Sequence, residues 1–356
     1  MPESTDRSTN NLRVRGYQPL VAPDALLAEL PLDTREAETV RRARAEVLGV
    51  LDGSDDRLLV VVGPCSVHDP EAGLEYAQRL AGLVPELSGD LAVVMRVYFE
   101  KPRTRVGWKG LINDPGLDGS HDVHRGLRTA RKLLLDITAL GLPVGCEFLD
   151  PITPQYISDT VAWGAIGART TESQVHRQLT SGLSMPVGFK NGTDGGVEVA
   201  VDACHAAAAS HTFFGVTGDG RAAVVTTEGN ADCHVILRGG RPGPNYGAEH
   251  VAAALGAIER GGLPRRVMID ASHGNSGKDH VRQAVVAGEI GAQVAAGQAG
   301  IVGVMLESFI EAGRQELSDP ASLTYGQSVT DACMSWETTV GVLSGLAEAV
   351  RERRKG

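Results

Sequence analysis

Four side chains that can bind a metal ion stand at or just after predicted strands that are far apart along the chain. They are Cys65, His273 and Glu307, together with an aspartate of the last loop such as Asp331. One thiolate, one imidazole and two carboxylates suit a first-row divalent ion and leave a coordination position for a substrate. Taken alone, a cysteine behind an apolar strand is usually a small buried hydrophobe, and Asp331 could cap a helix. The prediction of a metal site therefore depends on the four residues meeting at one edge of the fold.

Basic side chains form a second group of candidates. Five basic residues and one acidic residue lie between Arg96 and Gly110, and predicted strands end at Arg169, Lys190 and Arg238. Arginine binds phosphates and carboxylates through paired hydrogen bonds, and lysine attracts them as a point charge. Lys190 comes directly after an apolar run, which is unusual for a lysine that only faces water. In a chain with a formal net charge of -10, this cluster predicts a cavity for small anions.

These candidates need a framework that brings distant strand ends together. Eight short apolar segments rich in Val, Ile or Phe predict strands buried on both faces, and helix-length segments separate most of them. The strand segments are 58–63, 91–99, 142–148, 165–169, 186–190, 233–237, 267–270 and 301–307, and the helical ones are 71–83, 126–139, 155–163, 195–209, 248–260 and 279–297. This alternation predicts an α/β fold, the (β/α)8 TIM barrel, whose strands all end at one rim. The alternative, a doubly wound open sheet, favours an early GxGxxG motif that the chain lacks.

Two parts of the chain lie outside the eight repeats. Residues 1–55 form an N-terminal extension with a helical pattern from Pro23 to about Leu51, and residues 56–356 form the barrel. At about 211–227, two short apolar stretches flank Gly218-Asp219-Gly220. This pattern predicts a β-hairpin inserted before the sixth strand.

Composition excludes several other classes of function. The acidic net charge and an aromatic content of 4% argue against nucleic acid or a membrane surface as the partner. Five cysteines without a CxxC pair predict a reducing compartment rather than a disulfide framework. The first ten residues do not resemble a leader, and no apolar stretch approaches ~18 residues, so we expect a cytoplasmic protein. Walker, GxSxG and HExxH motifs are missing from the sequence.

Long motifs carry a resemblance to a known family. They are GPCSVHDP (63–70), MRVYFEKPRTRVGWKGLINDP (95–115), EFLD (147–150), GARTTESQVHR (167–177), PVGFKNGTDG (186–195), ILRGG (236–240) and DASHGNS (270–276). These segments closely resemble the type I, aromatic-sensitive branch of the 3-deoxy-D-arabino-heptulosonate 7-phosphate (DAHP) synthases. The resemblance extends from about Asn11 to Trp336. It implies a metal-dependent TIM barrel that condenses phosphoenolpyruvate with erythrose 4-phosphate, the first step of the shikimate pathway to aromatic amino acids.

The resemblance also implies a role for each matching position. The family's metal ligands correspond to Cys65, His273, Glu307 and Asp331, which would bind one divalent ion, manganese ahead of iron, cobalt or zinc. Its phosphoenolpyruvate contacts correspond to Arg96, Lys101, Ala168, Arg169, Lys190 and Arg238, and its erythrose 4-phosphate contacts to Lys101, Pro102, Arg103 and Thr104. The sister octulosonate synthases resemble Lys-Ala-Asn-Arg at that last run, and this chain does not. We expect Lys101 to donate a proton to the aldehyde oxygen and Glu147 to orient the attacking water.

Regulation is a further implication of the resemblance. Aromatic-sensitive members share an N-terminal extension and an inserted hairpin, which build an effector pocket, and the matching positions here are Pro151, Gln155, Ser184, Phe213 and Gly215. Proline and glycine at the first and last of these positions favour tyrosine over phenylalanine as the effector. The branch typically forms homodimers or homotetramers. The alternatives are an unregulated synthase of secondary metabolism, a sister synthase that uses another phosphosugar, and a catalytically silent regulatory paralogue.

Overall fold

Eight parallel strands form a closed barrel in the computed structural model, which describes residues 9–103, 107–317 and 319–356. The barrel strands are β1 (Leu58–Gly63), β2 (Leu91–Arg96), β3 (Val144–Glu147), β4 (Val161–Ile166), β5 (Val187–Lys190), β8 (Cys233–Leu237), β9 (Val267–Asp270) and β10 (Ile301–Glu307), and a separate antiparallel pair is made by β6 (Thr212–Val216) and β7 (Ala222–Thr226). Around the barrel the order is β1-β2-β3-β4-β5-β8-β9-β10, and β10 pairs with β1. The predicted TIM barrel and the inserted hairpin are both confirmed.

Helices precede the barrel and connect its strands. They are α1 (Pro23–Glu29), α2 (Thr34–Asp52), α3 (Pro70–Leu87), α4 (Val123–Ala139), α5 (Pro154–Ile157), α6 (Gln174–Ser181), α7 (Glu198–Ala208), α8 (Ala248–Arg260), α9 (His273–Ser276), α10 (His280–Ala295) and α11 (Trp336–Arg353). The three helices α6, α9 and α11 lie outside the helical segments that the sequence pattern predicts. Within the three described ranges, no helix combines the length and the apolar character needed to cross a bilayer.

The fourth barrel strand and the helix before it differ from the prediction. The sequence pattern predicts a helix over 155–163 and a strand over 165–169, whereas the structure has the short α5, a 3-10 turn at Ser158–Thr160 and then β4. All six residues of β4 are buried. A short segment that is apolar on every face has no periodicity that distinguishes a strand from a helix. Arg169 consequently lies beyond β4, in the turn that leads to α6.

The N-terminal extension packs into the barrel. Helix α2 begins with a reciprocal capping box between Asp33 and Glu36, which satisfies two backbone N–H groups of its first turn. Near its other end, Val47 and Leu51 join the cluster of side chains that fills the barrel interior, with residues such as Leu59 at the start of β1. The extension thus closes the end of the barrel at which the strands begin, opposite the rim where they end.

An ion pair made by a buried arginine joins the extension to the segments that precede the third and fourth barrel strands. Arg131 of α4 is inaccessible to solvent and donates two hydrogen bonds to the carboxylate of Asp159, at 2.7 and 2.8 Å. The same guanidinium donates to the carbonyls of Leu30 and Tyr156. Removing one partner of such a pair leaves a buried charge without compensation and destabilises the fold. This pair lies outside the lining of the rim cavity described next.

Candidate active site at the barrel rim

Three of the four predicted metal ligands meet at the carboxyl ends of β1 and β10. Cys65 follows β1, Glu307 ends β10, and Asp331 lies in the segment between β10 and α11. One donor atom from each lies within 4.8 Å of the others. The two strands are neighbours, with Gly63 in register with Glu307, and this pairing brings the first two donors together.

Asp331 has no helix-capping role. The cap of α11 is Ser335, whose side chain accepts a hydrogen bond from the N–H of Thr338. The Asp331 carboxylate instead accepts a hydrogen bond from Lys278 Nζ at 2.9 Å. Burial opposes its ionisation, but Lys278 and other nearby cations lower the pKa of Asp331 to about 2. Asp331 is therefore an anion across the whole physiological pH range.

The Glu307 carboxylate is held from several sides. Oε1 accepts a hydrogen bond from Arg96 at 3.0 Å, and Oε2 accepts one from the Ser272 hydroxyl at 2.6 Å. Its backbone N–H and carbonyl both bond to the side-chain amide of Gln283. Glu307 is fully buried. Such surrounding hydrogen bonds orient a ligating carboxylate before an ion arrives.

The fourth predicted ligand, His273, lies beside Glu307. Its Nε2 is 3.7 Å from Glu307 Oε1, and its Nδ1 is 2.8 Å from Asp270 Oδ2. A histidine that contacts a carboxylate through one ring nitrogen presents the other to a metal ion. Asp270 is fully buried and also pairs with Lys190 at 2.9 Å. Although burial opposes ionisation, His273 and Lys190 hold the pKa of Asp270 well below its ordinary value.

The chemistry of the donor set fits a divalent cation. Burial, followed by the charge of Glu307, raises the pKa of the Cys65 thiol, so a thiolate at this position needs a cation beside it. Lys101 already places its ammonium 3.2 Å from Cys65 Sγ. A metal ion deprotonates a coordinating thiol and compensates clustered carboxylates. Together with the imidazole of His273, the set offers the mixed donors that first-row divalent ions accept.

A cavity of about 570 Å³ opens above these donors and is lined mainly by polar and basic residues. The predicted residues on its wall are Lys101, Pro102, Arg103, Glu147, Ala168, Arg169, Lys190, Arg238, His273 and Asp331. Arg169 lines the cavity although it lies beyond β4, and it donates to the carbonyl of Pro102 at 3.1 Å. The cavity therefore concentrates the positive charge that the sequence distributes over several loops, in a chain whose net charge is -10.

Arg96 lies beneath the cavity and is absent from its wall. Its side chain is 1% exposed and donates to the carbonyls of Pro64 and Cys65 and to Glu307. The guanidinium carbon also sits 3.6 Å from the ring centroid of Tyr98. These contacts orient the residues around the donor set, and the phosphoenolpyruvate contact expected of Arg96 stays a prediction. Thr104, the last residue of the predicted erythrose 4-phosphate run, lies outside the described residues.

Glu147 reaches the cavity because its neighbour has no side chain. A Cβ at Gly167 would lie 2.2 Å from Glu147 Oε1, so a side chain at this position would displace the carboxylate from where it lies. Glu147 ends β3 and is mostly buried, with part of its side chain on the cavity wall. The structure thus places a carboxylate on the wall of the basic cavity.

A second cavity of about 420 Å³ lies between the hairpin and the segment around α5 and α6. Four of the predicted effector positions line it, namely Pro151, Gln155, Phe213 and Gly215. The fifth, Ser184, is absent from the lining, whereas Gly182 and Leu183 just before it are part of it. The hairpin and the barrel therefore enclose a pocket distinct from the rim cavity.

Several residues that support the site were not among the sequence candidates. Asp270, Ser272 and Gln283 orient the donors, and Lys278 pairs with Asp331. Asp270 had a detectable signal, because it is a charged residue at the end of an apolar strand. The hydroxyl and amide residues had none, since such side chains are common on loops and helices and their partners are distant in sequence.

A TIM barrel with this rim defines an enzyme that acts on small anionic substrates. Comparison with known proteins gives the family: the model of the DAHP synthetase I family matches residues 30–344. The chain belongs to this family.

Individual relatives are similar in sequence to this chain over nearly its whole length. A phospho-2-dehydro-3-deoxyheptonate aldolase of Corynebacterium glutamicum is 57% identical over 98% of this chain and 96% of its own. The Phe-sensitive enzyme of Escherichia coli is 56% identical over 97% of this chain and 98% of its own, and a tyrosine-inhibited enzyme of Schizosaccharomyces pombe is 52% identical over 96% and 93%. The solved structure of the Francisella tularensis aldolase superposes with a TM-score of 0.94 at 50% identity, covering 96% of this chain and 99% of that one.

Proposed function

We propose that this protein condenses phosphoenolpyruvate with erythrose 4-phosphate and water to give DAHP and phosphate, the first step of the shikimate pathway. The observation that carries the proposal is the basic rim cavity directly above a cluster of Cys65, His273, Glu307 and Asp331, in a member of the DAHP synthetase I family. Both substrates are phosphate anions, which is the chemistry that such a cavity favours.

The basic side chains offset the repulsion between the two substrates. The C3 atom of phosphoenolpyruvate must approach an aldehyde whose own molecule carries a phosphate, and several cations held in place favour that approach. The residues assigned to phosphoenolpyruvate are Arg96, Lys101, Ala168, Arg169, Lys190 and Arg238. Lys101, Pro102, Arg103 and Thr104 are assigned to erythrose 4-phosphate.

Lys101 is assigned as the proton donor to the aldehyde oxygen. As C3 bonds to the aldehyde carbon, negative charge develops on that oxygen and must be neutralised. Burial opposes a charged ammonium, but the negative charge of Cys65 and of Glu307 raises the pKa of Lys101 above its ordinary value. Lys101 therefore enters the reaction with its proton, as a general acid requires.

Glu147 is assigned to orient the attacking water. After the carbon–carbon bond forms, water adds at C2 of the phosphoenolpyruvate portion, and phosphate leaves as the C2–O bond breaks. A carboxylate on the cavity wall can accept a hydrogen bond from that water, and Glu147 is placed there. The oxygen lost with phosphate is thereby replaced by the oxygen of water.

The residues that would hold the divalent ion are Cys65, His273, Glu307 and Asp331. An ion held there would supply Lewis-acid polarisation of the aldehyde oxygen. Manganese is the ion that we propose first, and iron, cobalt and zinc are the alternatives for a donor set of this kind.

The activity is tested by following phosphoenolpyruvate consumption and phosphate release with purified enzyme. We expect phosphate to be released only when erythrose 4-phosphate is present, in equal amount to the phosphoenolpyruvate consumed. A chelator is expected to abolish the reaction, and added manganese to restore it. Turnover with arabinose 5-phosphate instead would favour the sister synthase, and full activity in the presence of chelator would contradict the proposed metal site.

The second cavity is assigned to an aromatic amino acid effector, with tyrosine ahead of phenylalanine. Pro151 and Gly215 on its wall support this choice, and the extension of residues 1–55 is assigned to regulation and oligomerisation. We expect tyrosine to inhibit at lower concentration than phenylalanine. Gly215→Ser is expected to weaken that inhibition, because a Cβ there would lie 2.6 Å from Val225 Cγ2. Stronger inhibition by phenylalanine would contradict the assignment, and no inhibition by either would favour the unregulated synthase.

A cytoplasmic homodimer or homotetramer completes the proposal. All five cysteines are free, which fits a reducing compartment. Phe214 of the hairpin is 92% exposed and Tyr17 of the extension is 78% exposed. Phenylalanine and tyrosine are enriched at subunit interfaces, so these two side chains are candidates for contacts between subunits.

A further inference from the structure

Glu100 is a buried acid that the proposed reaction does not use. It lies in the loop after β2, directly before Lys101, and is 2% exposed. Its carboxylate accepts hydrogen bonds from the N–H groups of Leu149 and Asp150, at 3.3 and 3.2 Å, and from the Thr153 hydroxyl at 3.1 Å. Glu100 does not line the rim cavity. The side chain therefore ties the loop after β2 to the turn after β3.

The carboxyl group of Glu100 has no cationic partner among the residues that the structure describes. The charged group that acts on it most is another carboxylate, that of Asp150. Burial and Asp150 raise the pKa of Glu100 to about 8. A buried acid beside a second acid costs stability. An anchoring role for the three accepted hydrogen bonds accounts for a carboxylate in this position.

The backbone next to Glu100 is held from the other side as well. Lys101 N–H donates to the carbonyl of Lys109 at 2.9 Å. A Cβ at Gly110 would lie 1.8 Å from the Phe99 carbonyl oxygen, so the two stretches of backbone touch with no space for a side chain between them. The backbone of Lys101 is thus held by the backbone of 109–110 on one side and by the side chain of Glu100 on the other.

The side chain of Lys101 must be placed accurately to act as the proton donor. Its Nζ donates to the Cys65 carbonyl at 3.1 Å and to Cys65 Sγ at 3.2 Å, while its chain lies on the cavity wall. A displacement of about 1 Å at a reacting group can reduce the rate about 100-fold. Contacts that hold the backbone of Lys101 in place therefore contribute to the reaction rate.

We propose that Glu100 is a positioning residue, whose carboxylate anchors the loop after β2 to Leu149, Asp150 and Thr153 and so sets the position of Lys101. This inference rests on the proposed function, since it assigns Glu100 to the same proton-transfer step. It predicts that loss of the anchor lowers kcat more than it changes substrate affinity.

Three variants of the intact enzyme test the inference. Glu100→Ala is expected to lower kcat by ~10–100-fold, Glu100→Gln by less because its amide oxygen still accepts a hydrogen bond, and Thr153→Val by ~3-fold. The KM for phosphoenolpyruvate and the manganese content are expected to stay within about 3-fold of the unsubstituted enzyme, since neither the anion contacts nor the donors change. Asp159→Asn serves as the matched control, because it removes the charge that pairs with the buried Arg131 and neither residue lines the rim cavity.

The outcomes separate positioning from a purely structural role. A kcat near the unsubstituted value in Glu100→Ala would overturn the inference, as would an equal kcat loss in Asp159→Asn at the same temperature. If Glu100→Ala does not fold, unchanged kcat in both Glu100→Gln and Thr153→Val overturns it. Failure of the unsubstituted enzyme to turn over would instead reject the proposed function, and the positioning role would fall with it.

Discussion

Lys101→Ala enzyme is expected to lose at least ~1000-fold in kcat while it still binds its metal ion. The ammonium is the proposed proton source for the aldehyde oxygen, and it also compensates charge beside Cys65, with Nζ 3.2 Å from Sγ. The donors contributed by Cys65, His273, Glu307 and Asp331 remain after the substitution. This variant should therefore lose the chemical step and keep its metal affinity. The measurements are single-turnover rate and metal content of the purified protein.

Lys109→Ala is the matched control for this prediction. Lys109 is an exposed lysine of the same loop and is absent from the cavity lining. Its contact with Lys101 uses the backbone carbonyl, which alanine retains. We expect kcat within about twofold of the unsubstituted enzyme, as is usual for a surface substitution. Retention of more than a few per cent of activity in Lys101→Ala would reject the assignment of the proton donor.

Cys65→Ala is expected to weaken metal binding by more than ~100-fold, because losing a residue that only supports a ligand already costs 10–100-fold. The thiolate is the one soft donor proposed for the site. Alanine also fills less space in a fully buried position, but the remaining donors keep their own hydrogen bonds. Competition with a chromogenic chelator measures the affinity directly, without reference to turnover.

Cys204→Ala provides the comparison for Cys65→Ala. Cys204 is a buried cysteine of α7 and lies outside both the donor cluster and the rim cavity. Its loss creates a similar small void and should leave the metal affinity unchanged. Equal affinity in the Cys65→Ala and Cys204→Ala proteins would show that the ligand set is wrong.

The sequence was informative where chemistry and secondary structure coincide. Cys65, Lys190 and Glu307 each stand at or just after an apolar strand, and parallel strands of a barrel end at one rim, so their meeting could be predicted from type and position alone. The hairpin was predictable for a comparable reason, since glycines at its turn separate two apolar stretches. Both features depend on local patterns that the fold then brings together.

The sequence was uninformative where the outcome depends on three-dimensional packing. Residues 161–168 are apolar without a clear period, and only burial on both faces identifies β4, which begins at Val161, as a strand. The sequence predicts that Arg96 lines the cavity, but its contacts with Pro64, Cys65 and Tyr98 place its side chain beneath the cavity wall. The same limit hid Glu100, because its partners at 149–153 become neighbours only after two strands align.

The pairing of β1 with β10 has a consequence for how the enzyme is assembled. These are the first and last strands of the barrel, and Leu59 pairs with Gly303 although about two thirds of the chain separates them. Cys65 lies on one side of this seam, and Glu307 and Asp331 lie on the other. The donor set therefore comes into existence only when the barrel closes, through a long-range contact of the kind that forms slowly during folding. An ion held by these residues would link the two sides of the seam, so its binding would add to the stability of the closed barrel.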